Sequence, residues 1–330
     1  MPPEPAGTPR AIVVTGGDAR HFPLAIGMLR SLNDTGVHRR YAIGFIDSGL
    51  TPAQRRMLPA NRMTVRETDW DFDFPTRAEL ARNAPGLRTL VGKLRMRELF
   101  PGYDVYVWLD ADTWVQDPVA IDHIVAAATR SGLAAAFELD RGYAMARLNW
   151  SMWTRYRRWY GHAFPEAVVR FMDLKPMLNV GVYGLRADAP HWHLWDWLYR
   201  AALGRQTDVQ TGAVFMSDQL SLNVAVHYHR LPMAVLPATY NWLCHVAQPH
   251  WDPARRVLCE PAPPWRPLAI IHVSGFSKSR PLRLQGRDGV LYETPPRYPL
   301  AVRPVPAGAP PPEPDADDEE DEAELAEAPA

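Results

Sequence analysis

Short continuous apolar runs alternate along the first half of the chain with stretches whose apolar residues recur at helical spacing. Ala11–Thr15 is such a run, ended by Gly16-Gly17-Asp18, and reads as a buried strand followed by a turn. His21–Asn33 has helical spacing, with Gly36 as its stop. Tyr41–Ile46 is a second strand, closed by Asp47-Ser48-Gly49, and Arg62–Glu67 a third. A helical segment over Leu87–Leu99 leads to Val105–Leu109 (VYVWL), the clearest buried strand of the chain. Pro118 opens a helix that runs to Arg130, and Leu133–Phe137 returns as a strand. This alternation predicts an α/β domain built on a mostly parallel sheet, in which ligands bind beyond the carboxyl ends of the strands.

The second half is less regular. Asn179–Leu185 reads as a strand, Ser217–Val226 as a helix and Leu268–Val273 as a late buried strand. Asn149–Tyr160 (NWSMWTRYRRWY) mixes aromatic residues with arginines. Its plain reading is a helix burying an aromatic side against the sheet, and its alternative is contact with an acceptor or a membrane surface. Trp192, Trp195 and Trp197 read as core. Beyond Tyr298 the chain turns to proline and alanine and then to an acidic run at Asp315–Glu322. The expected organisation is therefore a disordered start (1–9), one domain (10–300) and a disordered tail (301–330).

Composition agrees with one sizeable domain: 330 residues, 47% hydrophobic and 22% charged, which excludes a wholly disordered chain. The net charge of -1 conceals an asymmetry, because ten acidic residues and one basic residue follow Tyr298 and leave about +8 on residues 1–300. A basic body suits an anionic ligand, and in the absence of any nucleic-acid-binding motif it does not call for nucleic acid. Two cysteines, Cys244 and Cys259, make no disulfide scaffold, Met1–Arg10 lacks the apolar run of a signal peptide, and no run is long enough to span a bilayer; the expectation is a cytoplasmic protein. Lysine is scarce, with only Lys93, Lys175 and Lys278 against 33 arginines, which marks those positions as ones where a compact ammonium is needed.

The chemistry concentrates at Asp110 and Asp112, directly after VYVWL. Carboxylates at i and i+2 on an extended chain project the same way, and a divalent cation would neutralise them while keeping positions for phosphate oxygens. The alternative is Asp112 as a turn cap and Asp110 as a surface residue. The late strand carries His272, followed by Ser274, Gly275 and Lys278. Gly275 permits close backbone approach, and Lys278 lies one turn past the strand, where it can reach a phosphate. The pairs His191/His193 and His227/His229, and the set Cys244, His245, His250 and Cys259, lack the spacing of zinc sites.

In order, YVWLDADTWV, LNVGVYGLR, SDQLSLN and IIHVSGFSK resemble the motifs of the glycosyltransferase family that includes glycogenin and bacterial lipopolysaccharide galactosyltransferases (family 8, GT-A fold), over roughly Ala11 to Pro281. The resemblance implies a GT-A-type, Rossmann-like mixed sheet with helices on both faces, and Mn2+ (or Mg2+) held by Asp110, Asp112 and His272. It also implies donor contacts from Lys93, Asp110, Asn179, Gly181, Gly275 and Lys278, with Asp218 and Gln219 near the anomeric carbon and Lys278 meeting the leaving diphosphate. The chain departs from the family in having Leu220 where a further acid is common, and Ser279-Arg280 where Pro-Trp is common. At the anomeric centre, Asp218 is then the one carboxylate on hand.

The function expected is metal-dependent, retaining transfer of a hexose from a nucleotide (UDP) sugar to a carbohydrate, lipid-linked or protein acceptor, with peripheral membrane contact allowed. The alternatives are a catalytically silent sugar-nucleotide-binding or scaffold protein, and a sugar nucleotidyltransferase, whose glycine-rich basic loop is missing here.

Overall fold

The computed structural model describes residues 9–59, 63–143, 150–209, 212–278 and 280–306. Strands β1 (Ala11–Gly17), β2 (Ala42–Asp47), β3 (Thr64–Glu67), β4 (Val105–Leu109), β6 (Leu133–Phe137), β7 (Leu178–Arg186) and β8 (Met233–Leu236) form a seven-stranded sheet in the order β3-β2-β1-β4-β7-β6-β8. β1 pairs in parallel with β2 and β4, β2 with β3, and β6 with β8. β7 runs antiparallel to both β4 and β6. The α/β architecture expected from the alternation is the one formed, mostly parallel, and the sheet is mixed as the resemblance implies. Because β7 is buried on both faces, its residues read as a continuous apolar run, and such a run carries no information about strand direction.

Side chains alternate across the sheet and feed two cores. Ile12, Val14, Tyr106, Trp108 and Tyr183 face one side, under the helices Arg88–Leu94, Trp150–Ala163, His191–Arg205 and Ser217–His227. Val13, Val107, Leu109 and Val182 face the other, under the helices Phe22–Asp34 and Val119–Ser131. A third core, around Trp114, Trp242 and Ile271, lies against a small sheet of β5 (Thr113–Val115), β12 (Ile270–His272) and β9 (Trp242–Leu243), in that order. A hairpin of β10 (His250–Asp252) and β11 (Val257–Cys259) and a C-terminal sheet of β13 (Leu282–Gln285), β14 (Leu291–Thr294) and β15 (Arg303–Pro304) complete the fold. Strands of two to four residues are too short to show a period, which is why they escape a reading of hydrophobic pattern.

Several expected boundaries move. The helix over Leu87–Leu99 is divided at Arg95 into Arg88–Leu94 and Met96–Leu99, with the Arg95 guanidinium drawn to Asp71 and Glu98. The aromatic–arginine segment is a helix as expected; it packs on the helices Glu166–Met172, His191–Arg205 and Ser217–His227, and its Tyr160 enters the core on that side of the sheet. Trp192 and Trp195 are core, whereas Trp197 is exposed because its position falls on the outer face of its helix. The late strand shortens to Ile270–His272 and joins the small sheet. The body also extends past 300, because Arg303–Pro304 pairs with β14 and Arg303 binds Glu293. Residues 1–8 and 307–330 of the expected disordered termini lie outside the described residues, as do 144–149 of the aromatic segment and its surroundings. Among the described residues, no helix is long and apolar enough to cross a membrane.

His191 opens the helix His191–Arg205, is fully buried and lies against Gly132. Burial pushes its imidazole down to about 4, outweighing the nearby Pro232 backbone, and a cation at a helix N-terminus is disfavoured as well. Since an unfolded histidine titrates near ~6.5, the unfolded chain takes up a proton that the folded chain refuses. The stability held above ~6.5 is therefore lost progressively down to about pH 4, by as much as about 3 kcal/mol. Urea midpoints between pH 7 and pH 4.5 are expected to show this slope, and His191→Gln is expected to flatten it.

Candidate active site

Three elements converge beyond the carboxyl end of β4. The chain leaves β4 at Leu109, which pairs with Val182, and the Asp110 N–H continues the ladder by donating to the Gly181 carbonyl at 2.8 Å. The turn through Asp112 enters β5, whose antiparallel pairing with β12 sets His272 opposite Thr113, and the Val273 N–H donates to the Asp112 carbonyl at 3.0 Å. Register alone thus brings His272 to the two aspartates. Its Nε2 is 3.3 Å from Asp112 and 3.9 Å from Asp110, and one ligand atom from each of the three lies within 4.8 Å of the others. Among the described residues this is the one such group.

The orientation of the imidazole follows from one donor whose identity is certain. The Gly181 backbone N–H donates to Asn179 Oδ1 at 2.8 Å, so the amide oxygen of Asn179 faces it. The same oxygen accepts from Asn241 Nδ2 at 2.8 Å, which turns the Asn241 oxygen to His272 Nδ1 at 2.9 Å. Nδ1 is therefore the donor, and in the neutral ring the lone pair sits on Nε2, facing Asp110 and Asp112. That is the tautomer that can ligate a metal. Gly181 is required for a second reason. A Cβ there would stand 2.3 Å from His272 Cε1, inside contact distance.

Lysine supplies the countercharge. Lys93 Nζ lies 3.1 Å from both Asp110 and Asp218, and 5.2 Å above the Trp108 ring. Burial alone would lower its ammonium, but the Asp110 and Asp218 carboxylates overcome that and hold it above its ordinary value. Lys278 reaches Asp112 at 2.7 Å from the short helix Gly275–Lys278, which Gly275 can begin because it adopts φ +60°. Burial would raise the Asp112 carboxyl, yet a protonated His272 ring and Lys278 hold it well below the usual range. Asp218 behaves oppositely: burial, with Asp110 beside it, raises its carboxyl despite Lys93.

Gln219 lies one step further in. Its Oε1 accepts from the Val180 N–H at 3.2 Å, so its Nε2 points to Glu138 Oε1 at 2.9 Å. Glu138 Oε1 also accepts from Asn179 Nδ2 at 2.8 Å, and Glu138 Oε2 accepts from the Tyr156 hydroxyl at 2.5 Å. The residues that the resemblance assigned to the site are gathered here: Asp110, Asp112, His272, Lys93, Lys278, Asp218, Gln219, Asn179, Gly181 and Gly275; Lys175, the third lysine, lies elsewhere, over the Phe171 ring. Asp218 is not the one carboxylate near Gln219, because Glu138 is directly bonded to it. A sequence signal for Glu138 existed. It follows the buried strand β6 as Asp110 follows β4. Asn241, between a short helical turn and a two-residue strand, carries no such signal. The histidine pairs set aside in the sequence do not build sites; His191 is buried while His193 faces out, and both cysteines are buried and free.

No protein-family model matches the chain, and no curated protein matches it in sequence. Solved structures do. One is an active-site mutant of LgtC, 14% identical, matched over 80% of this chain and 87% of that one with a TM-score of 0.46. Another is the galactosyltransferase LgtC in complex with donor and acceptor sugar analogues, also 14% identical over the same shares, at 0.43. A third is the apo bifunctional glycosyltransferase WbbM, 12% identical, matched over 82% of this chain and 47% of that one, at 0.45. Asn241→Ala is expected to free the His272 ring and weaken divalent-metal binding about 10–100-fold, read as a loss of the metal-dependent rise in melting temperature relative to the variant's own metal-free value. What the chain is similar to, in each of these three structures, is a glycosyltransferase.

Proposed function

We propose that this chain is a metal-dependent, retaining glycosyltransferase that moves a hexose from a nucleotide sugar, UDP-linked, to an acceptor. The observation that carries the reading is the convergence of Asp110, Asp112 and His272, with Lys278 on the same carboxylate, at the end of a buried strand. Three carboxylates (Asp110, Asp112, Asp218) against two ammoniums (Lys93, Lys278) leave one negative charge in this group, and the His272 lone pair faces it. That donor set fits a divalent cation. Asp110, Asp112 and His272 would hold Mn2+ in preference to Mg2+, since an imidazole stands beside two carboxylates, and the ion would supply positive charge against a diphosphate.

The remaining residues have separable roles in this reading. Lys278, the more exposed of the two site lysines, exchanges Asp112 for the diphosphate and meets the charge that develops on it as the sugar–phosphate bond breaks. Lys93 is too enclosed to leave its carboxylates and serves the donor by fixing Asp110 and Asp218. Gly275 keeps the backbone low beside Lys278, and Asn179 and Gly181 form the floor on which His272 is seated. Asp218 accepts from donor-sugar hydroxyls, and Gln219 positions the sugar and stabilises positive charge at its ring.

Retention requires either a carboxylate nucleophile or front-face attack assisted by the departing phosphate. Glu138 is in the right neighbourhood, but both its oxygens accept hydrogen bonds from Asn179, Gln219 and Tyr156, which blunts it as a nucleophile. Asp218 is held by Lys93 and the Gln219 N–H. Front-face attack is therefore the mechanism proposed.

Two experiments test this. With a panel of nucleotide sugars, UDP is expected to raise the melting temperature only with Mn2+ present, and Asp112→Asn is expected to abolish that increment. Undiminished stabilisation in the variant would remove the metal assignment. NMR of the product is expected to show an α-linkage from an α-configured donor, with Gln219→Ala impaired but active. A β-linked product would overturn the transferase class proposed, and a trapped glycosyl adduct on Asp218 or Glu138 would overturn front-face attack.

A further inference from the structure

The Gln219 amide points at a carboxylate, and that carboxylate is gripped by a side chain from outside the four motifs. Glu138 directly follows β6, is 6% exposed, and its backbone N–H donates to the Met177 carbonyl at 2.7 Å. Its Oε1 accepts from two amides, Asn179 Nδ2 at 2.8 Å and Gln219 Nε2 at 2.9 Å. Both amides are fixed as donors, because the N–H groups of Gly181 and Val180 occupy their oxygens. Two donors on one oxygen favour the ionised carboxylate. They do not stop it turning about its last torsion, which is broad for glutamate. Tyr156 opposes that turn: its hydroxyl donates to Glu138 Oε2 at 2.5 Å, a distance typical of an O–H on a carboxylate.

Tyr156 comes from the helix Trp150–Ala163 and is half-buried against the core. Its ring centroid lies 5.7 Å from that of Trp159, and Tyr160 beside that pair is buried. The hydroxyl is thus carried by a packed helical side chain, the kind of support that holds a functional group in place. A buried carboxylate adds little to stability compared with an apolar side chain of like volume. Three donors collected on Glu138 therefore serve the site it faces more than the fold.

We infer that Tyr156 is a positioning residue: by holding Glu138 Oε2 it keeps Oε1 on Gln219 Nε2, and so fixes where the Gln219 amide stands at the donor sugar. The role rests on the transferase reading and adds to it a residue that none of the motifs contains. The two branches from Glu138 depend on it unequally. Asn179 is held independently, since its Oδ1 accepts from the Gly181 N–H and from Asn241 Nδ2, both at 2.8 Å. Gln219 has the longer bond from the Val180 N–H, at 3.2 Å. Loss of the Tyr156 hydroxyl is thus expected to reach the sugar end of the site and not the metal end.

Tyr156→Phe removes one oxygen and keeps the ring. The full chain is assayed with Mn2+ and UDP-glucose or UDP-galactose, water serving as acceptor and released UDP as the readout. The variant is expected to lose about 10–100-fold in kcat, with KM for the donor and Mn2+ affinity unchanged. On a Glu138→Gln background the same substitution is expected to cost little more, since both act through one bond. NMR of the isotope-labelled, metal-free chain gives a readout without turnover. The Gln219 side-chain amide, assigned by its loss in Gln219→Ala, is expected to shift and to exchange faster with water in Tyr156→Phe, while the Asn241 amide stays in place. Equal kcat in parent and variant, a loss confined to KM or Mn2+ affinity, or an unmoved Gln219 amide would each overturn the inference. A parent chain that releases UDP from neither donor would count against the transferase reading instead, and the amide spectrum then decides the role of Tyr156.

Discussion

A carboxylate buried at the end of a strand needs a partner, and Asp112 has arranged the structure around that need. Removing an ionised carboxylate from water costs several kcal/mol unless charge and hydrogen bonds replace the solvent. Lys278 supplies that replacement, and it arrives together with His272 from one segment, β12 and the short helix after it. The small sheet that carries β12 is thus more than a decoration on the main sheet. Its register with β5 sets His272 opposite Thr113, and the bond from Val273 to the Asp112 carbonyl closes the turn. A shift by one residue would turn His272 to the opposite face of the small sheet.

The second constraint is the reversed strand. Because β7 is antiparallel to β4, its first residues lie at the carboxyl end of the parallel strands, which brings Asn179 and Gly181 to Asp110. A parallel strand would have offered its other end there. From this placement follows the sequence of fixed donors, from Gly181 N–H through Asn179 and Asn241, that leaves the Nε2 lone pair of His272 facing the aspartates. Val180 N–H acts similarly on Gln219 and so orients its amide toward Glu138. Backbone groups of one strand therefore set the polarity of two side-chain networks, and no titration is required to do it.

The same logic separates the two site lysines. Lys93, enclosed between Asp110 and Asp218, is part of the frame; Lys278, on a short helix at the rim and partly open, has the freedom to exchange one anion for another. Both are lysines in a chain that otherwise uses arginine almost throughout, and the geometry explains the choice. A compact ammonium can sit 3.1 Å from two carboxylates at once in a space that a planar guanidinium would not fill without splaying them.

The sequence alone determined what depends on near neighbours. Strand and helix alternation set the α/β class, and a buried run followed by Asp110 and Asp112 marked the candidate site because side-chain direction in an extended chain repeats every two residues. His272, Gly275 and Lys278 were legible for the same reason, as a strand, a turn and a cation in one short stretch. What only the tertiary structure decided involves partners far apart in the chain: Asn241 is 62 residues from Asn179 and 31 from His272, and Gln219 is 81 from Glu138. The tautomer of His272, the orientation of Gln219, the carboxylate that accompanies it and the enclosure of Lys93 all follow from strand direction and register. Those are set by the packing of whole layers against one another, and no local pattern of polar and apolar residues encodes them.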